Sequence, residues 1–336
     1  MTGLAIIADD LSGALDSAAP FAVQGHHTVV ALSPEALEKA LETGAEVVAV
    51  STDSREIGPE TARERVARTL AYIPAGTKLF KKIDSRLKGN LVAELDALSY
   101  EKALVIPAIP AFGRWMRDGK LGGFGVDTPI DIADRLGPHA GRAEIPDAGT
   151  QDDICAALAR GVYDLLIGAR ALAEAQAESM GRGARTIETG SHRGPVILVI
   201  GSTDPITLEQ VDRLRQRYPA AVYIPAPNGV LPEVRAKGGI TIVQAVPGAE
   251  RADATAVASA LAALDPPQGA LLIVSGGATA QTVLGQIGIV IVEVVGEVLP
   301  GMPLADAGRL KLITKSGGFG APDAFVKVLE RLGVER

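Results

Sequence analysis

Short apolar runs alternate along this chain with longer stretches whose apolar residues recur at helical spacing. The first run, residues 4–8, leads straight into Asp9-Asp10 and a helical pattern over residues 12–24. Residues 29–32, 46–51, 78–83 and 103–106 read as further strands. Between them, residues 34–43, 60–72 and 91–97 carry helical periodicity. Strands that alternate with helices predict a mostly parallel sheet covered on both faces.

From residue 113 to 149 the pattern loosens into Gly, Pro, Asp and Arg, with a weak helical piece at 130–136. Long connecting loops are expected there, in the kind of segment that often carries function. Order resumes at 154–160 and 163–167, followed by an alanine-rich helix over 169–180. The polar, glycine-punctuated stretch 184–195 suggests a boundary between a first domain, 1–190, and a second, 191–336. In the second, 196–200 is a strand ending in Gly201-Ser202-Thr203, and 207–217 is a helix. Short strands at 221–224 and 240–243 precede a helix at 252–264. The apolar run 270–274 then ends in Ser275-Gly276-Gly277-Ala278-Thr279, and a later one ends in Lys315-Ser316-Gly317-Gly318-Phe319-Gly320. A strand at 289–295 lies between them, and a helix at 323–332 follows. The expected fold is α/β: two domains, each a mostly parallel β-sheet flanked by helices, with a ligand cleft between them.

The 336 residues suffice for two cores. A net charge of -7 argues against a general nucleic-acid binder and still admits an anionic small substrate, which needs only a few local cations. No apolar run has the length of a membrane span. The N-terminus reads as a first strand rather than a secretion signal. The single cysteine, Cys155, cannot form an internal disulfide, which fits a cytoplasmic setting. Nothing fixes the oligomeric state, which leaves room for a homo-oligomer.

Candidate chemistry gathers at strand ends, where open α/β sheets bind ligands. Asp9 and Asp10 close the first strand and suit hydroxyl binding, magnesium or proton acceptance, although one of them can equally cap the next helix. The run Lys81-Lys82-Ile83-Asp84-Ser85-Arg86-Leu87-Lys88-Gly89-Asn90 joins four cations to a carboxylate and a hydroxyl. Its cations suit a substrate carboxylate, while Asp84 and Ser85 suit hydroxyls. Arg114, after the proline-stiffened 107–112, could clamp a carboxylate or phosphate. The turns holding Ser202, then Ser275, Gly276, Gly277 and Thr279, then Lys315, Ser316, Gly317 and Gly318 suit phosphate. There glycine admits close N–H approach and the following helix adds its positive end. His26, His27, His139 and His192 lack metal-ligand spacing, so no metal site is nominated. Trp115 and Met116 are expected in the core.

In order, residues 8–16, 82–90, 107–114, Asp147-Ala148, Gly201-Ser202, 275–279, 296–301 and 315–320 resemble the motifs of the four-carbon acid sugar kinases. The resemblance runs over nearly the whole chain. It implies an acid-sugar domain followed by a nucleotide domain. It also implies transfer of the γ-phosphate of ATP, with Mg2+, to the terminal hydroxyl of threonate, erythronate or a 3-oxo relative. By that likeness Asp10, Lys82, Asp84, Ser85 and Arg114 contact the acid, and Ser202, Gly276, Gly277, Thr279, Gly317 and Gly318 contact ATP. The chain departs from the pattern in carrying Arg86 and Lys88 in place of threonine and arginine, Phe112 in place of glutamine, and Ala278 in place of an acid.

The expected reaction is phosphoryl transfer, with Asp9 and Lys88 adding to the acid site. Asp10 or Asp84 would accept the hydroxyl proton, with Asp10 favoured as the base and Asp84 as an anchor. Lys315 would neutralise phosphate charge. Two rivals remain: a dehydrogenase or synthase using a nucleotide cofactor on a similar frame, and a non-catalytic sensor of sugar acid and nucleotide.

Overall fold

In a computed structural model of the chain, residues 2–184, 191–230, 239–248 and 266–335 are described. The chain divides into two units, Met1–Arg185 and Thr186–Arg336.

In the first unit β1 (Leu4–Ala8) leads to α1 (Leu11–Val23), β2 (Thr28–Ala31), α2 (Leu37–Glu42), β3 (Val47–Ser51), α3 (Pro59–Tyr72), β4 (Lys78–Lys82), α4 (Leu91–Leu95) and β5 (Ala103–Ile106). Later come β6 (Arg114–Arg117), β7 (Lys120–Gly123), β8 (Val126–Asp131), α5 (Ile132–Leu136), β9 (Ala143–Glu144), α6 (Gln151–Arg160), β10 (Leu165–Gly168) and α7 (Arg170–Ser179). The main sheet runs β2-β3-β1-β4-β10-β5-β9, with every pair parallel. A parallel sheet covered on both faces has no solvent side, so β1 and β3 are buried at every position and read as unbroken apolar runs. Register sets the strand ends level: Ala8 stands beside Ser51 and Lys82, and Lys82 beside Gly168. The polar residues that follow β1, β3 and β4 therefore emerge at one edge.

The loops expected over 113–149 are in part a second sheet. Strands β6, β7 and β8 pair antiparallel. Their turns use left-handed backbone at Asp118 (φ 49) and Gly119 (φ 71), and again at Gly123 and Gly125. Each strand is short, and only β6 shows period-two alternation in its burial. Arg114 and Met116 face in, while Trp115 and Arg117 face out. Trp115, expected in the core, is thus 36% exposed, with the Arg117 guanidinium 5.8 Å from its ring.

The second unit contains β11 (Val196–Ile200), α8 (Pro205–Arg217), β12 (Val222–Pro227), β13 (Ile240–Val246), β14 (Leu271–Ser275), α9 (Gly277–Gln286), β15 (Ile291–Leu299), β16 (Met302–Asp306), β17 (Lys311–Lys315) and α10 (Ala324–Arg331). The strands run β12-β13-β11-β14-β17-β16-β15. The first five are parallel, and β16 pairs antiparallel with both β17 and β15. Leu198, Ile273 and Ile313 of the sheet pack in one cluster with Val211 and Leu214 of α8 and Phe325, Val328 and Leu329 of α10. Each such side chain contributes about 1.5–3 kcal/mol by leaving water. The helix expected at 252–264 and the boundary expected at residue 190 lie outside the described residues. Among the described residues, no helix is long and apolar enough to cross a membrane.

Candidate active site

Backbone hydrogen bonding assembles the first cluster. Ser54 N and Arg55 N, beyond the end of β3, donate to Asp9 O at 2.9 and 3.3 Å. That places the Arg55 guanidinium over both aspartates. Its Nε and Nη2 donate to the two Asp9 carboxylate oxygens at 2.8 Å each, and its Nη1 donates to Asp10 Oδ2 at 2.6 Å. Nη1 also lies 3.9 Å from Asp84 Oδ2. Asp10 is in addition the cap of α1, accepting from Gly13 N at 2.6 Å. A capping oxygen and a site oxygen thus sit on one carboxylate.

The two aspartates differ electrostatically. Burial raises the Asp9 carboxyl, but Arg55, with Lys81 and Lys82 behind it, outweighs burial and holds it below its ordinary value. At Asp10 burial prevails over Arg55, helped by the Asp9 charge, and the carboxyl stays above its ordinary value. A carboxylate that binds its proton more readily is the better base of the pair.

Lys82 is buried at the strand end, where its Nζ donates to Ile83 O at 2.8 Å. Asp84 lies past the strand. Its Oδ1 accepts from Arg86 N at 2.9 Å and Lys88 N at 3.3 Å, which folds the loop around it. The Lys88 side chain is exposed. Ser85 Oγ accepts from Arg114 Nη1 at 2.6 Å, and Arg114 Nε donates to Phe124 O at 3.0 Å. The small sheet therefore serves to deliver Arg114, itself buried, to the Ser85 loop. Arg55 joins Asp9, Asp10 and Asp84, Arg114 joins Ser85, the residue after Asp84 along the chain, and Lys82 adds its charge to both Asp9 and Asp10.

In the second unit Ile200, Ser275 and Lys315 stand in register on neighbouring parallel strands, so three polar turns leave the sheet together. Gly201 N donates to Ser275 O, and Gly276 N to Lys315 O, both at 3.1 Å. Gly276, at φ 110, takes the chain from β14 into α9 in a conformation that favours glycine. It leaves the start of α9 without a side-chain cap. First-turn N–H groups in that condition bind anions. The Ser275 hydroxyl is buried with no partner among the described residues, and Thr279 sits on the first turn. A Cβ on Gly317 would come within 2.4 Å of Ser202 Oγ, so the turns at 202 and 317 touch. The Gly318 position likewise lies against Asp204 Oδ2.

Lys315, expected to neutralise phosphate charge, is held inside the turn that follows β17. Its Nζ is buried and donates to Ser316 O, Gly317 O and Phe319 O at 2.8, 2.8 and 2.9 Å, and to Thr207 Oγ1 at 3.1 Å. The ammonium shapes the turn from within. Burial pushes its pKa down to about 7, against a weaker opposing pull from Asp204. Unfolded chain keeps that proton up to the ordinary 10.5, so this group makes stability rise as pH climbs from about 7 to 10.5. Lys315→Met should remove that slope and cost roughly 1–3 kcal/mol at neutral pH through the orphaned carbonyls. Urea midpoints at pH 7 and 9.5 measure both effects, and parallel wild-type and variant curves would refute the clamp.

Arg55, the hub of the first cluster, escapes a reading of the sequence, as does the buried Lys81–Glu94 pair at 2.9 Å. Arg55 follows Ser51-Thr52-Asp53-Ser54, which has neither glycine nor a run of like charge to mark it. The one signal was its place just after a strand.

Residues 4–130 match the family model of a sugar-binding N-terminal domain, and residues 230–325 that of a nucleotide-binding C-terminal domain. A D-threonate kinase of Cupriavidus necator is 30% identical, with 95% of this chain and 95% of that protein covered. A D-threonate kinase of Bordetella bronchiseptica is 27% identical over 99% of this chain and 98% of that protein. A 3-oxo-tetronate kinase of Methylobacterium radiotolerans is 28% identical over 98% and 99%. Two solved structures share the fold. One from Salmonella typhimurium LT2 has a TM-score of 0.69 at 19% identity, covering 97% of this chain and 98% of that one. The other, from Haemophilus influenzae, has a TM-score of 0.66 at 20% identity, covering 97% and 99%.

Proposed function

We propose, since this chain belongs to the four-carbon acid sugar kinase family, that it transfers the γ-phosphate of ATP to the terminal hydroxyl of a short sugar acid such as threonate, erythronate or 3-oxo-tetronate. The observation that carries the proposal is the Asp9–Arg55–Asp10 cluster, a set of oriented donors and acceptors at level strand ends. Such a cluster suits a polyhydroxy anion.

In the first unit Arg114 takes the carboxylate of the acid, and Asp84 Oδ2 anchors a hydroxyl. Asp10, whose carboxyl is raised by burial and by Asp9, accepts the proton of the attacking hydroxyl. Lys82 and Arg55 hold the charge that the cluster would otherwise accumulate. In the second unit the first-turn N–H groups of α9, the hydroxyls of Ser202, Ser275 and Thr279, and the turn at 316–318 hold the phosphates of ATP. The uncapped helix start and the Ser275 hydroxyl, which has no partner among the described residues, fit that role. Mg2+ travels with ATP, bound mainly by phosphate and water, and neutralises charge on the transferred group. Positioning and charge neutralisation supply most of the rate in this chemistry.

Incubation with ATP, Mg2+ and a panel of C4–C6 sugar acids should give ADP release that depends on one acid. Tight NAD binding without acid-dependent ADP would favour a dehydrogenase, and binding of acid and ATP without turnover would favour a sensor. Asp10→Asn should lower kcat by roughly 100- to 10,000-fold with ATP affinity unchanged. A base must be unprotonated, so activity falls as pH drops through its pKa. Because the Asp10 carboxyl is raised, that fall should come at a higher pH than for an ordinary aspartate. A wild-type rate in Asp10→Asn would remove Asp10 as the base.

A further inference from the structure

Two guanidiniums converge beside the Ser85 loop. A side chain on Gly125 (φ 73) would come within 3.5 Å of Arg114 Nη2 and 4.0 Å of Arg86 Nη1. Glycine at this turn therefore leaves open the space that both cations border. Arg114 is held in place by Ser85 Oγ and Phe124 O. Arg86 is held at its backbone, where its N–H donates to Asp84 Oδ1, while its side chain is exposed and forms no ion pair among the described residues. Like charges this close repel. Burial first, and then the charge of Arg86, lower the Arg114 pKa, with Asp84 opposing. By contrast, Arg55 in the same site is bonded to carboxylates through three of its nitrogens. Among the described residues Arg86 is thus a cation without an anion, and it borders the same open space as Arg114.

We propose that Arg86 and Arg114 form a two-guanidinium seat for the carboxylate of the sugar acid, so that Arg86 sets affinity for the acid. The proposal deepens the kinase reading and rests on it for the identity of the ligand. A planar carboxylate can accept from two forks at once, and each charge-assisted bond adds both strength and direction. Arg114, fixed by its loop partners, sets the direction of the carboxylate. Arg86, free to move, closes on it from the solvent side.

Calorimetric titration without ATP tests the seat. The probes are the C4–C6 sugar acids and their matching uncharged alditols. The wild-type protein should bind at least one acid and not its alditol. Arg86→Thr should weaken that acid roughly 10- to 100-fold. Arg86→Lys, which keeps the charge but loses the planar fork, should recover only part. In turnover, Arg86→Thr should raise KM for the acid and leave kcat and the KM for ATP nearly unchanged. Equal affinity in Arg86→Thr, equal binding of acid and alditol, or no bound acid in the panel would each overturn the seat. ADP release over the same panel separates this failure from that of the kinase. Arg86-dependent binding without ADP sinks the kinase and spares the seat, while turnover with an Arg86-independent KM does the reverse.

Discussion

Arg55→Ala is expected to abolish turnover and to destabilise the protein by about 3–5 kcal/mol. Three guanidinium nitrogens neutralise two adjacent carboxylates, one of them, Asp9, only 3% exposed in its side chain. Without the guanidinium, buried Asp9 and half-buried Asp10 are adjacent like charges, and one of them must take up a proton or move. Either outcome misplaces the groups proposed to hold and deprotonate the acid, where an ångström is worth on the order of 100-fold in rate. The pH dependence carries the diagnosis. The Asp9 carboxyl is held below its ordinary value, so its stabilising contribution is present above the unfolded pKa and is lost as pH falls through the folded one. The variant lacks that contribution. Its deficit against wild type should be largest at neutral pH and should narrow as the carboxylates protonate. Urea melts at pH 7 and at about pH 3, below the ordinary aspartate value of 3.8, with an ADP assay at pH 7, measure this. A variant that melts with wild type at both pH values would mean that the guanidinium contributes nothing net.

Lys81→Met should be comparably damaging to stability, by roughly 3–5 kcal/mol, although its side chain touches no proposed ligand. Lys81 and Glu94 have side chains 0% and 2% exposed, and their charges meet at 2.9 Å. Lys81 Nζ also donates to Lys82 O at 3.1 Å, and Glu94 accepts from Ser54 Oγ. The pair therefore braces, from below, both the end of β4 and the loop that carries Arg55. Methionine would fill the volume but leave a buried carboxylate unpaired. Removing both charges in Lys81→Met with Glu94→Leu should restore much of the loss, because the penalty lies in the orphaned charge rather than in lost attraction. Thermal or urea melts of the two single variants and the double variant decide it. If the double variant is as unstable as the sum of the singles, the two residues act independently and the bracing account fails.

Much of the frame can be read in the chain before it folds. Residues 4–8, 103–106 and 196–200 are strands at the expected bounds, because a sheet covered on both sides demands unbroken apolar runs. Polar residues at the ends of β1, β3 and β4 come out level at one edge of the sheet. The reading weakens where the local pattern is short or ambiguous. Strands β6 to β8 are few residues long and threaded with glycine and charge, so 113–149 looks like loop. Lys81 and Lys82 look alike in sequence, yet opposite faces of one strand give the first a buried glutamate and the second the Asp9–Asp10 cluster.

Periodicity, turn residues and motif order belong to neighbours along the chain, and they establish an α/β architecture with acid and hydroxyl groups at strand ends. Partnership across space is a different matter. Arg55 meets Asp9 from 46 residues away because β3 pairs with β1 in register. Lys315 meets Thr207 from 108 residues away because the start of α8 packs against the turn after β17, and its ammonium holds that turn from within. Such pairings depend on strand order and burial, which long-range hydrogen bonding and desolvation set once the whole unit has closed. No local segment carries that information.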